Sequence, residues 1–161
     1  MNKVPWIVGA VLVALIAVRI GIGLTNRGTD QQQIQSALQR SIEASKDGRP
    51  GGVLQLLSNQ LTFNGQDANG NLGQIAQFIV KQRPDVDVEK PDPVITGDEA
   101  QIISPVDIKL DFLGQQRSIH LKDVILVFHR EQSMKYLVFP TTDWKLSEVR
   151  AEQVDSSDFM Q

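Results

Sequence analysis

Five polar side chains in the second half of this sequence, Ser104, Asp123, His129, Tyr136 and Thr142, are of types that move protons or bind a small ligand. They are far apart in sequence, so only strand pairing can bring them together. A carboxylate held in an apolar wall has its pKa raised and can accept or donate a proton near neutrality. Asp123, flanked by Ser104 and Thr142 and with His129 and Tyr136 near one end, would form such a ligand-binding cluster.

The pairing follows from the turns. If Leu113–Gln116 closes a hairpin with Phe112 opposite Arg117, then Val106 faces Asp123 and Ser104 faces Ile125. If Gln132-Ser133 closes the next hairpin, Asp123 falls opposite Thr142, His129 opposite Tyr136 and Val127 opposite Val138. Asp123 then points inward. The competing reading is a β-bulge: one extra residue turns every later side chain to the other face and makes Asp123 a solvated surface acid.

Other chemistries find less support. There is no cysteine, which excludes disulfides, Cys-ligated metal and a thiol nucleophile. His120 and His129 lack metal-site spacing. Asp85, Asp87 and Glu89 alternate along a strand and read as a wet face. Asp67, Asn69 and Asn71 imitate the start of a calcium loop, but Leu72 and Phe78 stand where that loop needs a glycine and an acid. No glycine-rich phosphate loop follows a strand, and no cofactor is implied. After Arg27 the chain holds 13 basic against 19 acidic residues, a balance of −6, which speaks against nucleic acid as a partner.

The elements that must position these residues change character midway. Asp30, with Gln33 three residues on, can cap a helix carrying Ile34, Ala37, Leu38 and Ile42 on one face to about Ser45. KDGRPGG (46–52) ends it; a short helix over Val53–Leu57 and a short strand over Leu61–Phe63 follow. Asn71 and Gln74 repeat the capping pattern before a third helix that stops ahead of Pro84. From Asp85 the period becomes 2, with strands over 85–96, 100–112, 117–130 and 135–149 and turns at Gly97-Asp98, 113–116 and 131–134. Residues 151–161 read as a flexible acidic tail.

The chain opens differently. Val4–Leu24 is uncharged except for Arg19; its 21 residues make roughly 31 Å of helix at ~1.5 Å per residue, enough to cross a hydrocarbon core of ~30 Å. Arg19 lies five residues from the end and can snorkel to the headgroups, while Trp6 suits the interface at the other end. The run exceeds the core of a cleavable signal peptide, although Gly21 and Gly23 leave a cleavage site open. This predicts a transmembrane signal anchor (1–24), a linker (25–29), one domain (30–150) and the tail, as a single-pass membrane protein with the domain on the extracytoplasmic side.

The order helix, short helix, short strand, helix, then four long strands ending in DWKLSEV resembles the nuclear transport factor 2-like superfamily, which includes SnoaL-like and ketosteroid-isomerase proteins. The resemblance covers Asp30 to about Arg150. It implies an α+β fold, a cystatin-like cone of three helices packed on a bent antiparallel sheet, whose mouth can bind a small apolar ligand. It also implies dimerisation through the far side of the sheet; some members behind a membrane anchor are assembly subunits of envelope machines. On the pairing above, Leu126, Phe128, Leu137 and Phe139 form an exposed apolar patch suited to a homodimer or membrane-complex partner. The expected role is therefore a binding or assembly scaffold in an envelope complex. The alternative is a SnoaL-like enzyme or carrier acting in the cone, which would need a second hydrogen-bond donor beside Asp123.

Overall fold

A computed structural model describes residues 28–112, 114–135 and 139–151. The predicted anchor and nearly all of the predicted tail lie outside them, and among the described residues no helix is long and apolar enough to cross a membrane.

Helix α1 spans Asp30–Lys46 and starts one residue earlier than the sequence pattern places it. Thr29, not Asp30, is the N-cap: the Gln32 N–H donates to the Thr29 hydroxyl, and the Thr29 N–H donates to the Gln32 side chain. Asp30 is thereby free for long-range partners, since its carboxylate accepts from the Trp144 indole N–H at 3.3 Å and from Arg130. The helix buries Ile34 and Leu38, and then only small residues, Ser41, Ala44 and Ser45. That smallness permits close approach. A Cβ at Gly52, in the short helix α2 (Pro50–Leu54), would lie 2.4 Å from the Ala44 Cβ. Helix α3 spans Leu72–Gln82 and ends at Arg83, whose φ of 43° is left-handed, just before Pro84.

Seven strands form the sheet: β1 Leu57–Phe63, β2 Gln66–Asp67, β3 Asp85–Val88, β4 Val94–Thr96, β5 Glu99–Phe112, β6 Gln115–Lys135 and β7 Phe139–Arg150. The sheet order is β2-β1-β7-β6-β5-β3, with β4 also paired to β5. β1 runs parallel to β7, so the sheet is mixed rather than purely antiparallel as expected. The expected strand over 85–96 is two strands, because Pro91 and Pro93 cannot donate to a ladder.

One face of the sheet packs on the helices. Ala100, Ile102 and Val106 of β5, Val124, Leu126 and Phe128 of β6, and Trp144 and Leu146 of β7 join Ile34 and Leu38 in one core, with Phe128, Ile102 and Ile34 fully buried.

Candidate functional site

Two irregularities decide which side chains meet. The β5–β6 hairpin is tight, with Phe112 opposite Gln115 and Gly114 at φ 79°, a value glycine accepts readily. The predicted four-residue turn gives way to this tighter one, a shift of two that keeps the faces. Further along, Val106 faces Leu121 but Ser104 faces Val124. Pro105 therefore stands opposite both Lys122 and Asp123, a bulge that turns Asp123 outward.

The second hairpin departs further. β6 does not turn at Gln132-Ser133 but continues to Lys135, which pairs with Phe139. Gln-Ser lacks the residues that accept positive φ in a two-residue turn, so the strand runs on.

These registers disperse the predicted cluster. Ser104 alone is buried on the core face, and its hydroxyl is occupied: it donates to Pro105 O at 2.7 Å and accepts from the Lys90 N–H at 2.9 Å. Asp123 is exposed. Thr142 is exposed and faces Gln132 instead of Asp123. His129 is exposed and faces Glu99 and Lys145. Tyr136 lies outside the described residues.

The predicted apolar patch is corrected in the same way. Leu126 and Phe128 are in the core, 8% and 0% exposed, because β6 after the bulge presents its even-numbered positions to the helices. Phe139 pairs through its backbone with Lys135, and Leu137 lies outside the described residues. The apolar side chains on the outer face are different ones. Ile103 is 59% exposed and Val94 72% exposed; Ile103 faces Ile125, Val94 pairs with Gln101, and Gln101 faces Val127. A short stripe thus crosses β4, β5 and β6.

A polar network borders that stripe. The His129 Nε2 lies 3.2 Å from a Glu99 carboxylate oxygen and its Nδ1 2.6 Å from the Ser147 hydroxyl, which also donates to Val127 O at 3.1 Å. Ser147 is the extra residue of a second bulge, between Leu146 opposite Phe128 and Glu148 opposite Val127. A serine, a histidine and a carboxylate in hydrogen-bonded order resemble an acyl-transfer relay. Here, however, the histidine is half exposed on a sheet surface, so the trio ties β5, β6 and β7 together instead of enclosing a reacting bond. Beside it Arg150 donates two hydrogen bonds to Glu148, at 2.7 and 2.8 Å. The guanidinium holds the Glu148 carboxyl below the usual range, and Glu148 in turn raises Arg150. The sequence offered no signal for this network, whose members are 18 and 30 positions from His129. His120 likewise meets Asp107 across the β5–β6 pair at 2.7 Å. Among the described residues no group of three or more acids, histidines or cysteines could hold a metal ion.

A separate open cleft of about 880 Å³ runs between α1 and β3. Arg40, Lys46 and Lys109 alternate there with Glu43, Asp85 and Asp87, and the Lys46–Asp85 pair at 2.9 Å bridges helix to strand. Asp85 raises the pKa of Lys46 through that hydrogen bond. The mixed signs favour neither an anion nor a cation.

The described domain is thus an α+β sheet-and-helix cone built around one filled core. No protein-family model and no curated protein matches the sequence. Solved structures do. A conserved protein from Planctomyces limnophilus superposes with a TM-score of 0.60 at 17% identity, over 77% of this chain and 95% of that one. A nuclear transport factor 2-like superfamily protein from Salmonella enterica gives 0.58 at 15%, over 77% and 90%. A CaMKII hub from S. rosetta gives 0.55 at 10%, over 76% and 95%. The domain therefore has the nuclear transport factor 2-like fold.

Proposed function

We propose that this chain is a membrane-anchored nuclear transport factor 2-like domain with a binding or assembly-scaffold role in an envelope complex. Residues 4–24 serve as an uncleaved anchor, and the domain lies on the extracytoplasmic side. The observation that carries the assembly role is the outer sheet face, where Ile103 and Val94 stand exposed beside Ile125, opposite a face already filled by the helices. The occupant is a second copy of the chain. In support, one solved structure of similar fold is a hub by name, and the Glu99–His129–Ser147 and Glu148–Arg150 groups give the stripe a rim with charges of both signs, suited to self-complementary contacts. No observation favours an enzyme or carrier in the cone, because Ser104 is satisfied and Asp123 faces solvent.

Sedimentation velocity of the domain from Gly28 onward tests this reading. The parent domain is expected to self-associate and Ile103→Asp to sediment as a monomer with unchanged circular dichroism. A parent domain that stays monomeric at high concentration removes the second copy as the occupant.

A further inference from the structure

β3 is the last strand on its side of the sheet, and its residues line the cleft beside α1. Which backbone groups it turns to that cleft follows from the ladder. In an antiparallel pair, alternate residues exchange hydrogen bonds with the neighbouring strand, and those between them turn their N–H and C=O away. The Glu89 N–H donates to Pro105 O at 3.2 Å, in the same register that sets Asp87 opposite Asp107. The odd-numbered residues therefore bond β5, and Val86 and Val88 present their N–H and C=O to the free edge. The same parity turns Pro84 O to this edge, where the Ser45 hydroxyl of α1 donates to it at 2.9 Å. For the edge groups of Val86 and Val88, no described residue supplies a partner.

The cleft along this edge is bridged at its two ends. The Gln35 side-chain amide donates to Asp92 at 3.0 Å at one end, and Lys46 Nζ to Asp85 at 2.9 Å at the other. The stretch of α1 between the bridges spans roughly 16 Å at ~1.5 Å per residue, room for about five residues of extended chain at ~3.3 Å each. An unpaired edge of this kind is a template for another strand. Its sequence, Asp85-Val86-Asp87-Val88, alternates acid and valine. Asp85 has Lys46 as its counterion, whereas Asp87 has none among the described residues. Across the ladder Asp87 meets a second acid, Asp107, whose own partner is His120 at 2.7 Å. Like charges opposite one another on paired strands are destabilising. A basic side chain on the other flank of Asp87 would offset that repulsion.

We propose that the free edge of β3 is a docking site for an extended peptide, which joins the sheet as a further strand with apolar side chains beside Val86 and Val88 and a lysine or arginine beside Asp87. Backbone hydrogen bonds to Val86 and Val88 supply the attachment, and the alternation of acid and valine supplies the selectivity. The mixed charges of the cleft wall do not oppose this, since a strand meets them one side chain at a time. The site does not depend on what covers the Ile103 stripe.

The test uses full-length protein and two fluorescein-labelled, end-blocked hexapeptides, one alternating valine with lysine and the other valine with glutamate. Fluorescence anisotropy reads affinity, and amide hydrogen exchange at single-residue resolution reads the edge. The lysine peptide is expected to bind more tightly than the glutamate peptide and to slow exchange at Val86 and Val88. Asp87→Lys should weaken the lysine peptide roughly tenfold and reverse the preference. Val86→Pro, which removes an N–H from the free edge and none from the β5 ladder, should weaken both peptides. A lysine peptide that fails to bind, that binds without slowing Val86 and Val88, or that binds parent and Asp87→Lys equally overturns the proposal. Exchange at Val86 and Val88 that is already slow in the protein alone and quickens on dilution overturns it as well, and shows that a second copy holds the edge.

Discussion

The two faces of β6 are built from neighbouring residues of similar character and end in opposite surroundings. Leu126 and Phe128 are sealed against the helices, whereas Ile125 and His129, one position away, face outward with Ile103 and Glu99 opposite them. Composition does not separate the two sets. What separates them is one extra residue at Lys122-Asp123, since a strand has a side-chain period of 2 and a single insertion exchanges its faces. The polar position of the core wall, Ser104, is tolerated because its hydroxyl is fully bonded to nearby backbone. On the outer face Glu99 meets His129, Asp107 meets His120 and Glu148 meets Arg150.

Substitutions that contrast the faces give the largest effects. Phe128→Ala is expected to lower the unfolding free energy by about 3–5 kcal/mol, as large-to-small changes at fully buried aromatics do, while Ile103→Ala stays within about 0.5 kcal/mol; urea denaturation of the two variants measures both. Equal losses would mean that the faces are misassigned. Gly52→Ala comes next: its Cβ would press on Ala44 and force α1 and α2 apart, with an expected loss of about 1–3 kcal/mol, read in the same titration. Thr29→Ala removes the cap of α1 and is expected to cost about 1 kcal/mol; a loss as small as that of an exposed control would show that the helix start is held by Asp30 alone.

Acidification gives the smallest change. Glu148 has its carboxyl pKa lowered by Arg150, so the stability it adds is present above the ordinary carboxylate range and is lost as pH falls through the lowered value. The pair is on the surface, so the effect is slight. Parent and Glu148→Gln should differ in melting temperature at neutral pH and converge in strong acid. A difference that persists in acid would mean that packing, not charge, is at work.

Much of the fold was legible in the sequence. The change of period at Asp85 separates helices from sheet, and the glycine of Gly97-Asp98 takes φ 62° in the turn where it was expected. Stop signals also worked, with Pro84 behind α3 and Gly48 (φ 68°) behind α1. The parallel β1–β7 pair was not legible, because nothing local records the partner of a strand almost 90 residues away, as Leu57 is from Leu146. The bulge was legible only as a possibility, since Lys122-Asp123 satisfies an exposed position on either face. The candidate site suffered most for that reason: its residues were chosen by type, and their meeting depended on two registers, each of which fails by a different mechanism. The Glu99–His129–Ser147 network lay beyond reach because both of its contacts are set by those same registers.

The central claim is that the outer face bearing Ile103 meets a second copy of the chain. Ile103→Cys in this cysteine-free protein, treated with a short bismaleimide, tests it most directly beside Gln116→Cys at the far hairpin. The account predicts covalent dimers from position 103 at protein concentrations where position 116 gives none. Equal yields, or no dimer from position 103, would contradict it.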